Sequence, residues 1–230
     1  MIFSLSRKFR IFRIDFKGVV CVMLAKSNSY ICCSNVRLTT LGKNKYSSLL
    51  LQKFATIDIA IAVGQVAKAT KRAGKLSKVV LNHIFQRQEQ ITYDYCVFVS
   101  RFGELDSIEK NNEDNTINEE LSPTSFSYSV HNAIACLYAI VSGSKIPSTS
   151  LSVSNGMIRT ALLECLSYIS SHADDKNVLI VVYDGFMPDR YKDQFSDYPN
   201  DFVLSFSVQV GNRESSPVLF ADELHELKSF

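Results

Sequence analysis

The chain of 230 residues predicts an α/β fold with a mixed β-sheet covered by helices. Three observations carry that expectation. Cys96–Val99 and Val178–Val182 are nearly continuous apolar runs, the pattern of strands covered on both faces. The segments between and around them repeat apolar residues at helical spacing. Between Ser148 and Ser170 the chain reads as strand, tight turn and helix. Strands alternating with helices pack as a sheet with helical layers.

Taken in order, residues 1–45 form a segment rich in Lys, Arg and Ser and nearly free of acids, in which the stretch from Ile11 to Leu24 holds one or two strands. Such a composition suits a targeting peptide, but no clean apolar core followed by a small-residue cleavage site is present; a start codon placed too far upstream accounts for it equally. Residues 46–230 read as one domain. Leu49–Gly64 is apolar enough for a buried helix. Lys68, Lys71, Arg72, Lys75 and Lys78 line one helical face, interrupted at Gly74. Tyr95–Phe102 is a core strand, and Gly103–Glu120 starts as a helix and breaks into an acidic, Asn-rich loop. Lys176–Tyr183 is a second core strand, with turn residues Asp184-Gly185 after it. Pro188–Asn200, carrying Tyr191, Phe195 and Tyr198, is an ordered loop; Phe202–Val210 alternates as a strand, and Phe220–Phe230 is a short terminal helix.

The central stretch, Leu121 to Cys165, is the most legible. Ser122 or Thr124 is an N-cap with Pro123 just inside the start. Val130, Ala133, Ile134, Leu137, Ile140 and Val141 continue one helix to a C-cap at Gly143. Ser148–Val153 is a short strand, Ser154-Asn155-Gly156 the turn, and Met157–Ser170 a helix burying Ile158, Ala161, Leu162, Cys165, Leu166 and Ile169.

Ser122-Pro123-Thr124-Ser125-Phe126-Ser127-Tyr128-Ser129-Val130-His131-Asn132-Ala133, Leu162-Leu163-Glu164-Cys165, the strand Val178–Asp184 and the upstream Val97-Phe98-Val99-Ser100-Arg101-Phe102-Gly103-Glu104-Leu105 together carry a resemblance over roughly residues 75 to 210. The chain resembles the N-terminal half of the β-ketoacyl synthases. More closely it is similar to the short stand-alone ketosynthase-like proteins described as chain-length factors beside aryl-polyene-type type II polyketide genes. The resemblance implies a thiolase-like half-fold for residues 46–230. It also implies that Ser148–Ser154 is the strand that pairs across a dimer axis.

In that family a nucleophilic Cys sits at the N-terminus of the helix after the strand, where the helix dipole favours its thiolate. Matching Ala161, Glu164 and Cys165 to the family helix puts that position at Asn155, within one residue; Asn155 has no nucleophile, and its neighbour Ser154 has no identifiable base. The two His residues of a condensing synthase come from the other half of the family fold. Of the four His here, His131 lies in the matching motif and reads as structural, hydrogen bonding near the subunit interface, while His172 and His225 read as surface residues near helix ends. The resemblance makes Phe126, Tyr128, His131, Asn132, Ser148, Thr149, Leu151 and Val153 candidates for the interface or the acyl tunnel.

Other chemistry is not signalled. There is no GxSxG, GxGxxG or Walker A sequence, and Asp184 and Asp174-Asp175 read as plain turns. Cys21, Cys32, Cys33, Cys96, Cys136 and Cys165 show no metal spacing, so no metal and no cofactor are expected; Cys96, Cys136 and Cys165 fall within apolar patterns as buried free thiols suited to a reducing cytoplasm. No apolar run approaches the roughly 18 residues of a membrane span. Residues 1–90 carry 16 Lys and Arg against 3 Asp and Glu, and residues 91–230 carry 9 against 20. The basic half is a solvated face or a dock for an acidic partner. It lacks the interleaved aromatics of a nucleic-acid surface.

These readings combine into a non-catalytic chain-length factor that forms a heterodimer with a full-length β-ketoacyl synthase in the cytoplasm and acts on chains carried by acyl carrier protein. Two alternatives stand beside it. One is an acyltransferase or condensing enzyme using Ser154 or a Cys. The other is a module that docks acyl carrier protein through the basic half.

Overall fold

A computed structural model describes residues 20–23, 29–40, 66, 68, 70–85, 92–118, 122–172, 176–195 and 201–212. The helices expected over 49–64 and 220–230, together with Tyr198 and His225, lie outside the described residues. The elements are β1 (Val20–Met23), β2 (Ser29–Thr40), α1 (Lys75–Phe85), β3 (Tyr95–Ser100), α2 (Leu105–Asn118), α3 (Pro123–Ser129), α4 (Ala133–Ser142), β4 (Ser148–Ser152), α5 (Met157–Ser171), β5 (Asn177–Asp184), α6 (Asp189–Lys192) and β6 (Phe202–Asn212).

They build one mixed sheet in the order β1-β2-β6-β5-β3-β4. β3 pairs parallel with β4 and with β5, and the β5–β6, β6–β2 and β2–β1 pairs are antiparallel. β1 and β2 are drawn from the first 45 residues, and β2 pairs with β6 across a bulge between Ser34 and Arg37. Both faces of the central strands are covered. On one face Tyr95, Val97, Val99, Val178, Ile180 and Val182 meet Met157, Ile158, Ala161, Cys165 and Ile169 of α5. On the other, Cys96, Phe98, Leu179, Val181 and Tyr183 meet α1 and Ile134, Leu137 and Tyr138 of α4. Alternate residues of one strand therefore feed two cores, which is why β3 and β5 lack the polar alternation of a half-exposed strand.

The connections explain the layering. From β3 the chain passes through α2, α3 and α4 to β4 at the sheet's edge, then returns through α5 to β5 on the far side of β3. Two right-handed crossovers running in opposite directions put their helices on opposite faces. Hence α4 and α5 sandwich the sheet.

Three expectations need correction. The single helix expected from Ser122 to Gly143 is two, α3 and α4, broken at Val130–Asn132, where Val130 is extended. Ser127 and Ser129 hydroxyls donate back to the Pro123 and Phe126 carbonyls, and the break lets His131 turn inward onto the Ser100 backbone, a tertiary contact that overrides helical periodicity. Asn112–Asn118 is not a loop but the continuation of α2, where the Asp106–Lys110 pair and a Thr116 hydroxyl bond to the Asn112 carbonyl support a polar helix with little apolar face. Cys136 is exposed on α4 rather than buried, while Cys96 and Cys165 are buried as expected.

The expected caps hold. Ser122 accepts from the Ser125 amide with Pro123 following. Gly143 stops α4 at φ 63°, with Ser144 N–H donating to the Ala139 carbonyl at 3.2 Å. Because a side chain at that φ is strained while its Cβ would meet open space, Gly143→Val should cost about 1–2 kcal/mol and Gly143→Asn far less, read from urea midpoints.

Candidate functional site

β3 and β4 are neighbours whose outgoing connections leave to opposite faces, so their carboxyl ends mark the switch point beside which open α/β sheets bind ligands. Two turns lie there: Arg101–Glu104 after β3, and Val153–Gly156 between β4 and α5. They are tied together, since Val153 N–H donates to the Ser100 carbonyl at 3.1 Å and the Ser152 hydroxyl to the Arg101 carbonyl at 3.2 Å.

The first turn is held from inside by two buried carboxylates. Asp184, ending β5 and 1% exposed, accepts from the Ser100 hydroxyl at 2.6 Å and from the Arg101 and Phe102 amides at 3.1 Å. The Ser100 hydroxyl oxygen in turn accepts from Gly103 N–H at 2.7 Å. Burial pushes Asp184 up to about 6, against the pull of these donors and of the Arg101 charge. Glu104, 3% exposed, accepts from the Ser77 amide at 2.8 Å, from the Ser77 hydroxyl, and from the Ser107 hydroxyl at 3.1 Å. It thereby caps α1, whose own N-terminal sequence supplies no capping side chain in its first turn beyond Ser77. Burial raises Glu104 above the usual carboxylate range, opposed by its Ser77 and Ser107 bonds. A Cβ at Gly74 would lie 2.1 Å from Glu104 Oε2, so Gly74 is the residue that lets the carboxylate reach the helix end.

His131 closes the turn from outside. Its ring is half-buried against Gly103, where a Cβ would come within 3.0 Å of the imidazole, and Gly103 itself stands at φ 58°. The ring bonds to the Ser100 backbone, its Nε2 is buried with no hydrogen-bond partner, and burial holds its basicity below the ordinary value. Ser100, Gly103 and Glu104 of the Ser-Arg-x-Gly-Glu pattern thus each have a contact that calls for their residue type. Asp184, read from sequence as a plain turn, is a buried acceptor instead. The signal for it was its place at the end of the most apolar strand.

The remaining candidates are divided. Thr149, Leu151 and Val153 face α5, where Leu151 and Val153 pack on the core, whereas Ser148, Ser150 and Ser152 point to the α4 face. Tyr128 packs on the α1–α4 core, so it lies across the sheet from Leu151. Phe126 is 54% exposed and Asn132 is exposed. Thr149 is bonded to the Tyr95 hydroxyl, which also donates to Glu164 at 2.7 Å, riveting the strand to α5. β4 has β3 as its neighbour on one side and no strand on the other among the described residues.

Ser154 and Asn155 are both exposed at the head of α5, behind Gly156 at φ 69°, and no side chain caps that helix. The thiols of Cys96 and Cys165 are pushed up to about 12 by burial, so neither is poised as a nucleophile. His172 is exposed and stacks on Tyr168; His83 is buried and bonded to the Ser205 hydroxyl. Among the described residues no helix is long and apolar enough to cross a membrane.

The family model of the β-ketoacyl synthase N-terminal domain matches residues 55–226. Two solved structures share the fold. One is a chain of a ketosynthase (ApeO) in complex with its chain length factor (ApeC) from Xenorhabdus doucetiae, with a TM-score of 0.63 and 20% identity over 80% of each chain. The other is the ishigamide ketosynthase/chain length factor, with a TM-score of 0.53 and 13% identity over 71% of this chain and 50% of that one. No curated protein matches the chain.

If Glu104 caps α1 as described, Glu104→Ala strands the Ser77 amide and two hydroxyls and should cost about 2–3 kcal/mol. Gly74→Ala should lose stability by displacing the same carboxylate, and in the double variant the two losses should fall short of additive. Chemical denaturation of the four proteins reads this directly.

Proposed function

The chain belongs to the family of β-ketoacyl synthase N-terminal domains, and from that premise we propose that it is a non-catalytic, chain-length-factor subunit which pairs with a full-length, active β-ketoacyl synthase through β4. The observation that carries the reading is the position of β4. It is an edge strand, Ser148-Thr149-Ser150-Leu151-Ser152, paired with β3 and tied to α5 and to the turn after β3, and among the described residues no strand lies along its outer side. An open edge of this kind is a template for another strand. Asn155 stands in the exposed turn after it, where the family nucleophile is expected by motif, and an amide does not attack a thioester.

In this role the chain stabilises the synthase and closes the far end of the acyl tunnel. Phe126, exposed on α3, is the strongest candidate to reach the partner's chain, with Tyr128, His131 and Asn132 behind it. A filled tunnel cannot take two more carbons without overpacking. The extending chain would be a polyketide or fatty-acid-like polyene held on acyl carrier protein. The exposed Lys68, Lys71, Arg72, Lys75 and Lys78 offer an acidic carrier a basic approach. The free thiols Cys96, Cys136 and Cys165 suit work in a reducing cytoplasm.

Two substitutions separate the roles. Asn155→Ala should leave condensation by the assembled complex unchanged; loss of turnover with the complex intact would contradict a non-catalytic subunit. Ser150→Pro removes an edge amide and should abolish co-purification with the synthase while leaving the circular dichroism of the isolated chain near wild type. Phe126→Ala should lengthen the products without changing the amount of complex.

A further inference from the structure

Asn155-Gly156 is the single Asn-Gly pair in the sequence, and the fold presents it in a reactive setting. Asn155 is exposed and belongs neither to β4, which ends at Ser152, nor to α5, which begins at Met157. Among the described residues neither the Asn155 side-chain amide nor the Gly156 N–H has a hydrogen-bond partner. Gly156 stands at φ 69°, and a Cβ built on it would meet only the Arg159 side chain, at 4.0 Å, so the approach to its backbone is open. The turn is fixed on either side. Val153 N–H donates to the Ser100 carbonyl at 3.1 Å, and Thr160 N–H to the Gly156 carbonyl at 2.9 Å. Other asparagines are placed differently: Asn82, Asn111 and Asn177 are buried, and Asn132 is exposed but followed by Ala133 at the start of α4.

We propose that Asn155-Gly156 is a site of spontaneous deamidation, at which the chain converts its own neutral turn into a carboxylate at the head of α5.

The Gly156 backbone nitrogen gives up its proton to solvent and attacks Asn155 Cγ. A bond from that nitrogen to Cγ forms, the Cγ–Nδ2 bond breaks, and Nδ2 leaves as ammonia with a proton taken from water. The product is a five-membered succinimide. Water then opens the ring. Addition at Cγ breaks the new bond and leaves aspartate; addition at the main-chain carbonyl carbon breaks the original peptide bond and leaves isoaspartate. One water enters and one ammonia departs, with no change of oxidation state.

The position of the turn gives the new charge a consequence. α5 runs for 15 residues with no acid in its first turn and no side-chain cap. A carboxylate just ahead of it faces the positive end of the helix dipole and the N–H groups that the first turn leaves unpaired. The aspartate form is therefore favoured by the helix that follows it.

The full chain, incubated in mildly alkaline buffer at physiological temperature and mapped by proteolysis and mass spectrometry, tests this. The peptide carrying Asn155 should gain the mass of an amide-to-acid conversion, and in heavy-oxygen water it should take up one labelled oxygen. It should convert roughly ten-fold faster than the peptide carrying Asn132, because Gly156 lacks the Cβ that hinders approach at Ala133. Asn155→Gln, in which closure requires a larger ring, should stay unconverted at that position. Absence of conversion at Asn155 while a synthetic peptide spanning Ser150 to Thr160 converts, or conversion at Asn132 at an equal rate, would overturn the proposal. Asn155→Asp reads the consequence: its folding equilibrium constant from urea denaturation should exceed that of the wild type roughly two- to five-fold. A lower constant would overturn the stabilisation by α5.

Discussion

Two buried carboxylates fix the end of β3, and much of the molecule is arranged to keep them satisfied. Glu104 and Asp184 lie on either side of one short turn, each desolvated and each accepting from backbone amides and from serine hydroxyls. Buried charge of this kind is costly unless every lone pair finds a donor. The donors come from four places: α1 through Ser77, the turn itself through Arg101 and Phe102, the strand end through Ser100, and the first turn of α2 through Ser107. The turn is therefore a knot between helix layer, sheet and loop. A side chain at Gly74 would strike Glu104, and Gly103 stands at φ 58° with the His131 ring against it.

From that knot the geometry of the rest follows. The turn directs α2 away from the sheet, the crossover returns as β4, and the reverse crossover places α5 on the opposite face. β4 is thus anchored at its carboxyl end to the turn through Val153 and Ser152, and at its start to β3 and α5 through Thr149, Tyr95 and Glu164. A strand so held on one side, with no strand on the other among the described residues, is pre-ordered, and adding a further strand to it would cost little conformational entropy. The same placement brings Ser154 and Asn155 to the surface directly after that edge strand.

The strands β3 to β6 and the helix α5 were legible because double-sided burial writes itself as unbroken apolar runs, as in Val178–Val182, and because Ser122-Pro123 and Gly143 are strong end signals, whereas β2 (Ser29–Thr40) and the short α6 (Asp189–Lys192) were not read from sequence. What was not legible depended on contacts distant in sequence. The break at Val130–Asn132 exists for His131 to reach Ser100, some thirty residues away. Asp184 looks like half of an Asp-Gly turn until the amides of Arg101 and Phe102 are seen beneath it. Cys136 satisfies the helical period of α4, yet the period does not say which stripe the sheet covers. For the site, the motif drew attention to the Ser100–Glu104 turn and to β4, but it did not reveal that Tyr128 and Leu151 lie on opposite faces.

The measurement that bears most directly on the account is the mass of the complex formed when this chain is co-expressed with the β-ketoacyl synthase encoded nearest to it. A stable one-to-one heterodimer, with the isolated chain poorly behaved, is the expected result. A well-behaved chain that remains alone in the presence of every such synthase would contradict the subunit role and return attention to the exposed Ser154 at the head of α5.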